Sequence, residues 1–457
     1  MSLSIILNTD SYKCSMFKQY PAGTEYVYSY IESRGGVYDH TVMFGLQAFI
    51  KKFLSKPITQ EDIDEADAIC KAHGVPFNRE GWQYILDKHK GYLPLKIRAA
   101  KEGSVIPVRN VLATIVNTDP QCYWLTTWVE TALLRAIWYP TTVATQSWYI
   151  KQLITQYLEK TGDPSTIDVK LHDFGARGVS SLESAGIGGA SHLVNFKGTD
   201  TLAALMFVRK YYGADMAGYS VPAAEHSTIT SWGKENEVEA YRNMLKQFAN
   251  PGSVVAVVSD SYDIFNACRS LWGKELRQHI IDSGATLVIR PDSGDPATVV
   301  LQCLQILQEQ FGFYINNKGY KVLNHVRVLQ GDGINWTSIR DILEAITKAG
   351  FSADNVAFGM GGALLQKVDR DTNKWAMKCS AAYINGEWVG VFKDPITDQG
   401  KSSKKGLVTL FKDENGEYYS GLLDDTKKDE LFDIYEDGKL ITEWLFDEIR
   451  EQSNNHN

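Results

Sequence analysis

Aspartates, arginines and glycines recur in the middle of this chain in one setting, at the end of a short apolar run. The aspartates are Asp173, Asp200, Asp260, Asp263, Asp292, Asp295 and Asp332. The cations are Arg177 and Arg290, and the glycines are Gly175, Gly178, Gly294, Gly331, Gly333, Gly359, Gly361 and Gly362. Arginine offers a rigid fork for phosphate oxygens. Glycine lets backbone N–H groups approach an anion, and a following helix N-terminus adds a favourable dipole. The carboxylates suit ribose hydroxyls or Mg²⁺, a hard cation that prefers oxygen and bridges to substrate phosphates. Together the groups point to a phosphorylated sugar handled with a metal. Each alone also serves as a helix cap or a turn residue, so the reading rests on their convergence. Neither a Walker A loop nor a GxGxxG fingerprint occurs in the chain.

His226, in GYSVPAAEHSTITSWG, stands beside Glu225. It can be a nucleophile or proton carrier, oriented by that glutamate, or a hydrogen-bonded residue at a loop or helix start. The residues alone leave both readings open. His172 and His192 read as structural, and Lys393 in VFKDP places a positive charge after an apolar strand.

Six apolar segments must position these groups: DVKLHDFGARG, HLVNFKGTD, SVVAVVSDSYD, TLVIRPDSGD, HVRVLQGDG and NVAFGMGG. They are rich in Val, Ile and Leu without strict alternation, the pattern of strands buried on both faces of a parallel sheet. Helices lie between them. Asp295 is an N-cap with Pro296 at N1, and Val300, Leu304, Leu307 and Phe311 follow at helical spacing up to Gly312. Ile339, Ile342, Leu343 and Ile346 mark a second helix that stops near Gly350. Repeated βα units predict an α/β fold with a barrel-like sheet, where functional groups gather at the C-terminal strand ends. The flanks predict helices such as Ile63–Ala72, strands such as Tyr26–Ile31 and Val111–Val116, and turns at Asn385-Gly386 and Asn415-Gly416. The expected organisation is a discontinuous α+β domain from residues 1–145 and 375–457, and a barrel-like domain over 146–374. The aromatic run Tyr123, Trp124, Trp128, Trp138, Tyr139 and Trp148 reads as core or interface.

Composition narrows the class. The chain has 457 residues, with 47 Lys plus Arg against 55 Asp plus Glu, a net charge of −8. A broad nucleic-acid surface is not expected. No apolar run reaches the roughly 20 residues of a membrane helix. The start, MSLSIILNTD, lacks the basic segment of a signal peptide. Six scattered cysteines contain no CxxC pair, which fits free thiols in a cytoplasmic protein without a zinc site.

Eight motifs occur in order: NTDSYKCSMFKQYP, LHDFGARGVSS, NFKGTD, GYSVPAAEHSTITSWG, VVSDSYDIFNAC, IRPDSG, LQGDG and FGMGGALLQK. In this set the chain resembles the nicotinamide phosphoribosyltransferase family, of the barrel-type phosphoribosyltransferases, from about Leu7 to Arg450. The resemblance implies a barrel-like domain beside an α+β domain built from both chain ends. It implies transfer of phosphoribosyl from PRPP to nicotinamide, giving nicotinamide mononucleotide and pyrophosphate. It also implies Mg²⁺, stimulation by ATP through a phosphohistidine, and a homodimer with shared sites.

Residue by residue, the resemblance implies that Phe174 and Tyr12 of the partner subunit stack on the nicotinamide ring. Asp200 would read the carboxamide NH₂ and Arg290 its oxygen. Asp292 and Asp332 would hold the ribose hydroxyls, and Asp260 with Asp292 would border the Mg²⁺ region. Arg177, Gly331, Gly361 and Gly362 would cradle phosphate. Arg34, Arg370, Lys378 and Lys393 would clamp pyrophosphate. His226 matches the phosphorylated histidine and, with Arg290 and Asp292, the catalytic set. The chain departs from the family pattern at Val169, Ala176, Met360 and Ala376, and in a short segment after Arg34.

Overall fold

A computed structural model describes residues 4–397 and 402–455. The chain forms two compact units. One comprises Met1–Thr145, Val208–Ala214 and Val368–His456; the other comprises Gln146–Phe207 and Asp215–Lys367.

The second unit is α/β. Its strands are β1 (Leu171–Asp173), β2 (Gly198–Thr199), β3 (Val254–Val258), β4 (Thr286–Arg290), β5 (Val326–Gln330) and β6 (Val356–Met360). They form a sheet in the order β2-β1-β6-β5-β4-β3, with every pairing parallel. All six segments read from the sequence contribute a strand. In HLVNFKGTD, however, the strand is only Gly198–Thr199, while His192 and Leu193 finish the helix Leu182–Leu193. An apolar run shared by the last turn of a buried helix and the next strand carries no period that separates them.

The half-barrel has a seam that the sequence reading missed. Tyr219 bridges to Gly198 of β2, and Ala223 bridges to Ala256 of β3, both parallel. The Tyr219 N–H donates to Lys197 O at 2.7 Å, and its carbonyl accepts from Thr199 N at 3.0 Å. Pro222 O accepts from Ala256 N at 2.9 Å, and Ala224 N donates to Ala256 O at 3.0 Å. Proline has no N–H to offer, and here only its carbonyl is needed. The extended stretch 219–224 thus joins the two edge strands of the sheet.

Inside, Ala256, Val288 and Leu329 form an apolar cluster, with Phe174, Val221 and Ala357 packed against it. Strands β3 to β6, the seam and the end of β1 each supply one of these residues. Beneath them Lys170 is buried. Its Nζ donates to the carbonyls of Ala353, Asp354 and Val356 at 3.3, 3.1 and 3.1 Å, tying the start of β1 to the start of β6. Burial lowers its pKa to about 8. The outer helices follow their sequence signals. Pro296–Phe311 starts on Asp295, whose carboxylate accepts from Thr298 N at 3.0 Å, and ends at Gly312 with φ 70°. Trp336–Lys348 buries Ile339, Ile342, Leu343 and Ile346.

The first unit is α+β. Seven antiparallel strands lie in the order Glu387–Gly390, Trp375–Ile384, Thr24–Ser33, Val111–Asn117, Leu95–Ala99, Phe432–Glu436 and Lys439–Leu440. Both flanks of the chain therefore weave into one sheet. Asn385 (φ 51°) and Gly386 (φ 89°) make the tight hairpin turn that this pair favours. Trp82, Trp124 and Trp128 are buried edge-to-face, with ring centroids 5.0–5.7 Å apart, so this part of the aromatic run is core. Among the described residues no cysteine forms a disulfide, and no helix is long and apolar enough to cross a membrane.

The end of β3 is braced from behind. The Trp272 ring stacks on Tyr241 at 4.3 Å, and its Nε1 donates to Ser259 Oγ at 3.0 Å. Removing such a buried indole costs about 3–5 kcal/mol. Trp272→Ala should therefore lower the urea unfolding midpoint strongly, and Ser259→Ala, which strands the indole N–H, should lower it less, at a cost of about 1–3 kcal/mol in unfolding free energy. Unchanged midpoints in both variants would show that this brace does not hold β3.

Candidate active site

The C-terminal ends of the strands and of the seam collect the chemistry. Asp260, just past β3, is the hub. Its side chain is only 5% exposed. Oδ1 lies 2.9 Å from His226 Nε2, and Oδ2 accepts from Asp292 N at 3.0 Å and from Ser293 Oγ at 2.5 Å. Burial pushes the carboxyl up, but hydrogen bonds from Ser293, His226 and the Asp292 N–H outweigh it and hold the group below the usual carboxylate range.

His226 opens the short helix His226–Thr230 at the end of the seam. Glu225 does not orient it. The glutamate accepts from Ser227 Oγ, and the imidazole turns to Asp260. A carboxylate at Nε2 selects the Nε2–H tautomer, which leaves Nδ1 as the nitrogen with a lone pair.

Arg290 ends β4, and Asp292 follows it. Burial raises the Asp292 carboxyl; Arg290 works against this, and the Asp260 charge adds to it. Arg290 Nε is buried with no hydrogen-bond partner. At the end of β5, a Cβ added to Gly331 would lie 3.3 Å from Asp292 Oδ1 and 3.6 Å from the Phe174 ring. Asp332 follows, its carbonyl accepting from Gln330 Nε2 at 2.9 Å.

Phe174 turns in from the end of β1, with its N–H on Met360 O at 3.0 Å. Its ring fills the space above Gly359, where an added Cβ would fall 2.0 Å from a ring carbon. The Ala176–Gly178 turn, carrying Arg177, runs against the β6 end. A Cβ on Gly178 would sit 3.2 Å from Gly362 Cα, and one on Gly361 would sit 3.6 Å from Phe174 O. Any larger residue at Gly359 displaces the ring. Below it, Asp173 is buried and accepts from Gly175 N at 2.7 Å; burial pushes its carboxyl up to about 6.

Asp200 follows β2, with its N–H on Asp173 O at 3.0 Å. Its Oδ1 accepts from Ser220 Oγ of the seam. Asp263 and Asp295 serve instead as helix N-caps, accepting from Phe265 and Asn266 N and from Thr298 N. His192 is buried and satisfied by Ser147 Oγ and Gly198 O, while His172 is held below its usual pKa by burial.

The remaining named residues belong to the first unit. Lys378 is half-buried, and burial lowers its pKa; Glu130 opposes this, while Arg34, Lys13 and Lys393 reinforce it. Lys13, which the sequence reading did not single out, thus joins a cluster of cations and pairs with Glu130. Arg34 donates to Glu32 at 3.1 Å and keeps one guanidinium nitrogen buried without a partner. Arg370 is exposed beside Asp371 at 3.4 Å. Tyr12 is 59% exposed, with Lys13 Nζ 4.9 Å from its ring centroid. Ser220 and Ser293 were also missed, since a hydroxyl beside a carboxylate has no sequence signature of its own.

For a metal, the donor set suits a hard cation. The Asp292 carboxylate accepts no hydrogen bond among the described residues, and it stands beside Asp260 and Asp332. In the first unit His89, Asp119 and Cys122 also come within 4.8 Å. There Asp119 is already engaged by Gln121 N, Tyr84 OH and His89 Nε2.

Comparison with known proteins adds the family. Residues 169–439 match the nicotinate phosphoribosyltransferase (NAPRTase) family, and residues 4–97 match the nicotinamide phosphoribosyltransferase N-terminal domain. A nicotinamide phosphoribosyltransferase of Xanthomonas campestris is 59% identical over 98% of this chain and 97% of its own. One from Acinetobacter baylyi is 34% identical over 97% and 95%. Among solved structures, a Pyrococcus furiosus nicotinate-nucleotide pyrophosphorylase shares the fold with a TM-score of 0.64 at 15% identity, covering 99% of this chain and 95% of that one. Human nicotinic acid phosphoribosyltransferase gives a TM-score of 0.57 at 13% identity, over 98% and 93%. With such identity sustained along nearly its whole length, the chain belongs to the NAPRTase family and groups there with the nicotinamide phosphoribosyltransferases.

Proposed function

We propose that this protein is a nicotinamide phosphoribosyltransferase, joining the ring nitrogen of nicotinamide to C1 of PRPP and releasing pyrophosphate. The observation that carries the choice of base is Asp200, an anion at the barrel mouth with one carboxylate oxygen engaged by Ser220. An anion there accepts a carboxamide N–H and repels a carboxylate, so nicotinamide is favoured over nicotinate. The names of the Xanthomonas campestris and Acinetobacter baylyi relatives point the same way.

The ring nitrogen of nicotinamide carries a free lone pair, so no base is needed. The barrier lies in breaking the bond from C1 to pyrophosphate as positive charge develops on the ribose. Phe174 and Tyr12 of the partner subunit hold the ring flat and aligned. Arg290 approaches the carboxamide oxygen. Asp292 and Asp332 hold the ribose hydroxyls and stabilise the developing charge. Arg177 with the backbone at Gly331, Gly361 and Gly362 takes the 5′-phosphate, and Arg34, Arg370, Lys378 and Lys393 take the leaving pyrophosphate. Asp260 and Asp292 would hold Mg²⁺, which when bound supplies charge to the pyrophosphate. ATP is an activating co-substrate: His226 Nδ1 attacks its γ-phosphorus, the bond to the β,γ-bridging oxygen breaks and ADP leaves, and the phosphohistidine, later cleaved by water, adds about two negative charges beside the pyrophosphate region. The working assembly is a homodimer in the cytoplasm, each site shared between two copies.

Purified protein with PRPP and Mg²⁺ should make nicotinamide mononucleotide from nicotinamide far faster than the acid nucleotide from nicotinate. A preference for nicotinate would overturn the reading. Asp200→Asn should lower kcat/KM for nicotinamide roughly 10–150-fold, the value of one charge-assisted hydrogen bond, and narrow the gap to nicotinate.

His226→Ala should abolish ATP hydrolysis and the acid-labile phosphoenzyme, yet leave transfer measurable at high PRPP. A variant that still forms phosphohistidine would remove His226 from that role.

Tyr12→Ala and Phe174→Ala should each be nearly inactive as homodimers. Mixed dimers of the two should recover about half the activity, because one of the two sites is intact. Verified mixed dimers without activity would mean that both rings come from one chain.

A further inference from the structure

We infer that Ser220 is a specificity-determining positioning residue, whose hydroxyl fixes the Asp200 carboxylate so that one oxygen faces a carboxamide. The inference rests on the base-binding reading above and extends it to a residue to which that reading gives no role.

Asp200 Oδ1 accepts from Ser220 Oγ, and no other side-chain hydrogen bond reaches this carboxylate among the described residues. Asp200 sits on an exposed strand end, where an unanchored aspartate samples several rotamers. One fixed donor removes most of that freedom, and the second oxygen stays open as an acceptor.

The anchor is itself held. Tyr219, the residue before Ser220, exchanges backbone hydrogen bonds with Lys197 and Thr199 at 2.7 and 3.0 Å. Two residues on, Pro222 O accepts from Ala256 N at 2.9 Å. Ser220 is therefore pinned on both sides by the seam. The Tyr219–Gly198 bridge lies one residue before the hydroxyl and two before the carboxylate, so the register of that single bridge sets the distance between them. A reader and its anchor on paired backbones are pre-organised before any base arrives. A carboxylate so fixed aims its acceptor at the N–H of a ring carboxamide and its charge at a ring carboxylate. Ser220 thus acts on choice of base and not on bond breaking.

The test uses full-length wild type, Ser220→Ala, Ser220→Thr, Asp200→Asn and the double variant Ser220→Ala/Asp200→Asn. Initial rates are measured against nicotinamide and nicotinate at saturating PRPP and Mg²⁺. Ser220→Ala should raise KM for nicotinamide roughly 5–20-fold, with kcat within about twofold and KM for PRPP unchanged. Ser220→Thr, which keeps the hydroxyl, should stay within about threefold of wild type. In the Asp200→Asn background Ser220→Ala should add less than about a further twofold, because its target is gone. A Ser220→Ala enzyme with unchanged KM and unchanged base preference overturns the inference. So does a double variant whose losses simply multiply. Inactivity of the wild type with nicotinamide would instead sink the transfer reading itself.

Discussion

A parallel sheet that stops short of closing leaves two rows of backbone donors and acceptors without partners, and such rows cannot stay buried unpaired. In this protein that constraint falls on β2 and β3. The seam 219–224 answers it with one bridge to each edge. Much follows from this economy. Joining the edges brings Ser220 beside Asp200 at one end of the seam. The chain then continues to His226 opposite Asp260. The two side chains that touch neighbouring strand ends are six residues apart, one on the seam and one at the helix start that follows it, so one backbone path positions both.

Asp260 extends the same logic. A carboxylate has about four acceptor positions. Three are filled here by the seam histidine, a β4-end backbone N–H and a β4-end hydroxyl. It therefore behaves chiefly as a strut between strand ends. Asp292, beside it and without such bonds, carries the charge that is free to meet a ligand. Burial and the neighbouring Asp260 both resist that charge, while Arg290 supports it. The acids at the mouth thus divide into a strut, open acceptors and helix caps, although all occupy equivalent places after a strand.

That division marks the limit of what the chain reveals before it folds. The helix Pro296–Phe311 was legible because cap, proline, apolar spacing and terminal glycine all agree. The ends of β3 to β6 were legible because runs buried on both faces are apolar throughout. The short β2 was hidden, since its apolar residues are spent in the helix before it. The seam was hidden for another reason: each edge holds it by one bridge, so it needs no periodic pattern. Whether an aspartate caps a helix, as Asp263 does, or faces outward, as Asp200 does, depends on the direction of the next turn, and residue type does not encode that. The partner of His226 was misread because Glu225 is its neighbour in sequence, while Asp260 is its neighbour in space. The matches to known families carried the reading beyond these local signals.

The weave of both flanks into one sheet bears on how the molecule is made. Thr24 pairs with Ile384 and Ser33 with Trp375, contacts separated by most of the chain. Nothing can satisfy that edge of strand Thr24–Ser33 until its partner has been synthesised. At roughly 5–20 residues per second, the wait is on the order of tens of seconds. Loops of this span close slowly, and an open, apolar strand edge invites wrong partners meanwhile. The second unit, whose strands pair among themselves, emerges complete during that interval. Its assembly can precede that of the seven-stranded sheet, and the nascent strand Thr24–Ser33 is the segment most in need of a chaperone.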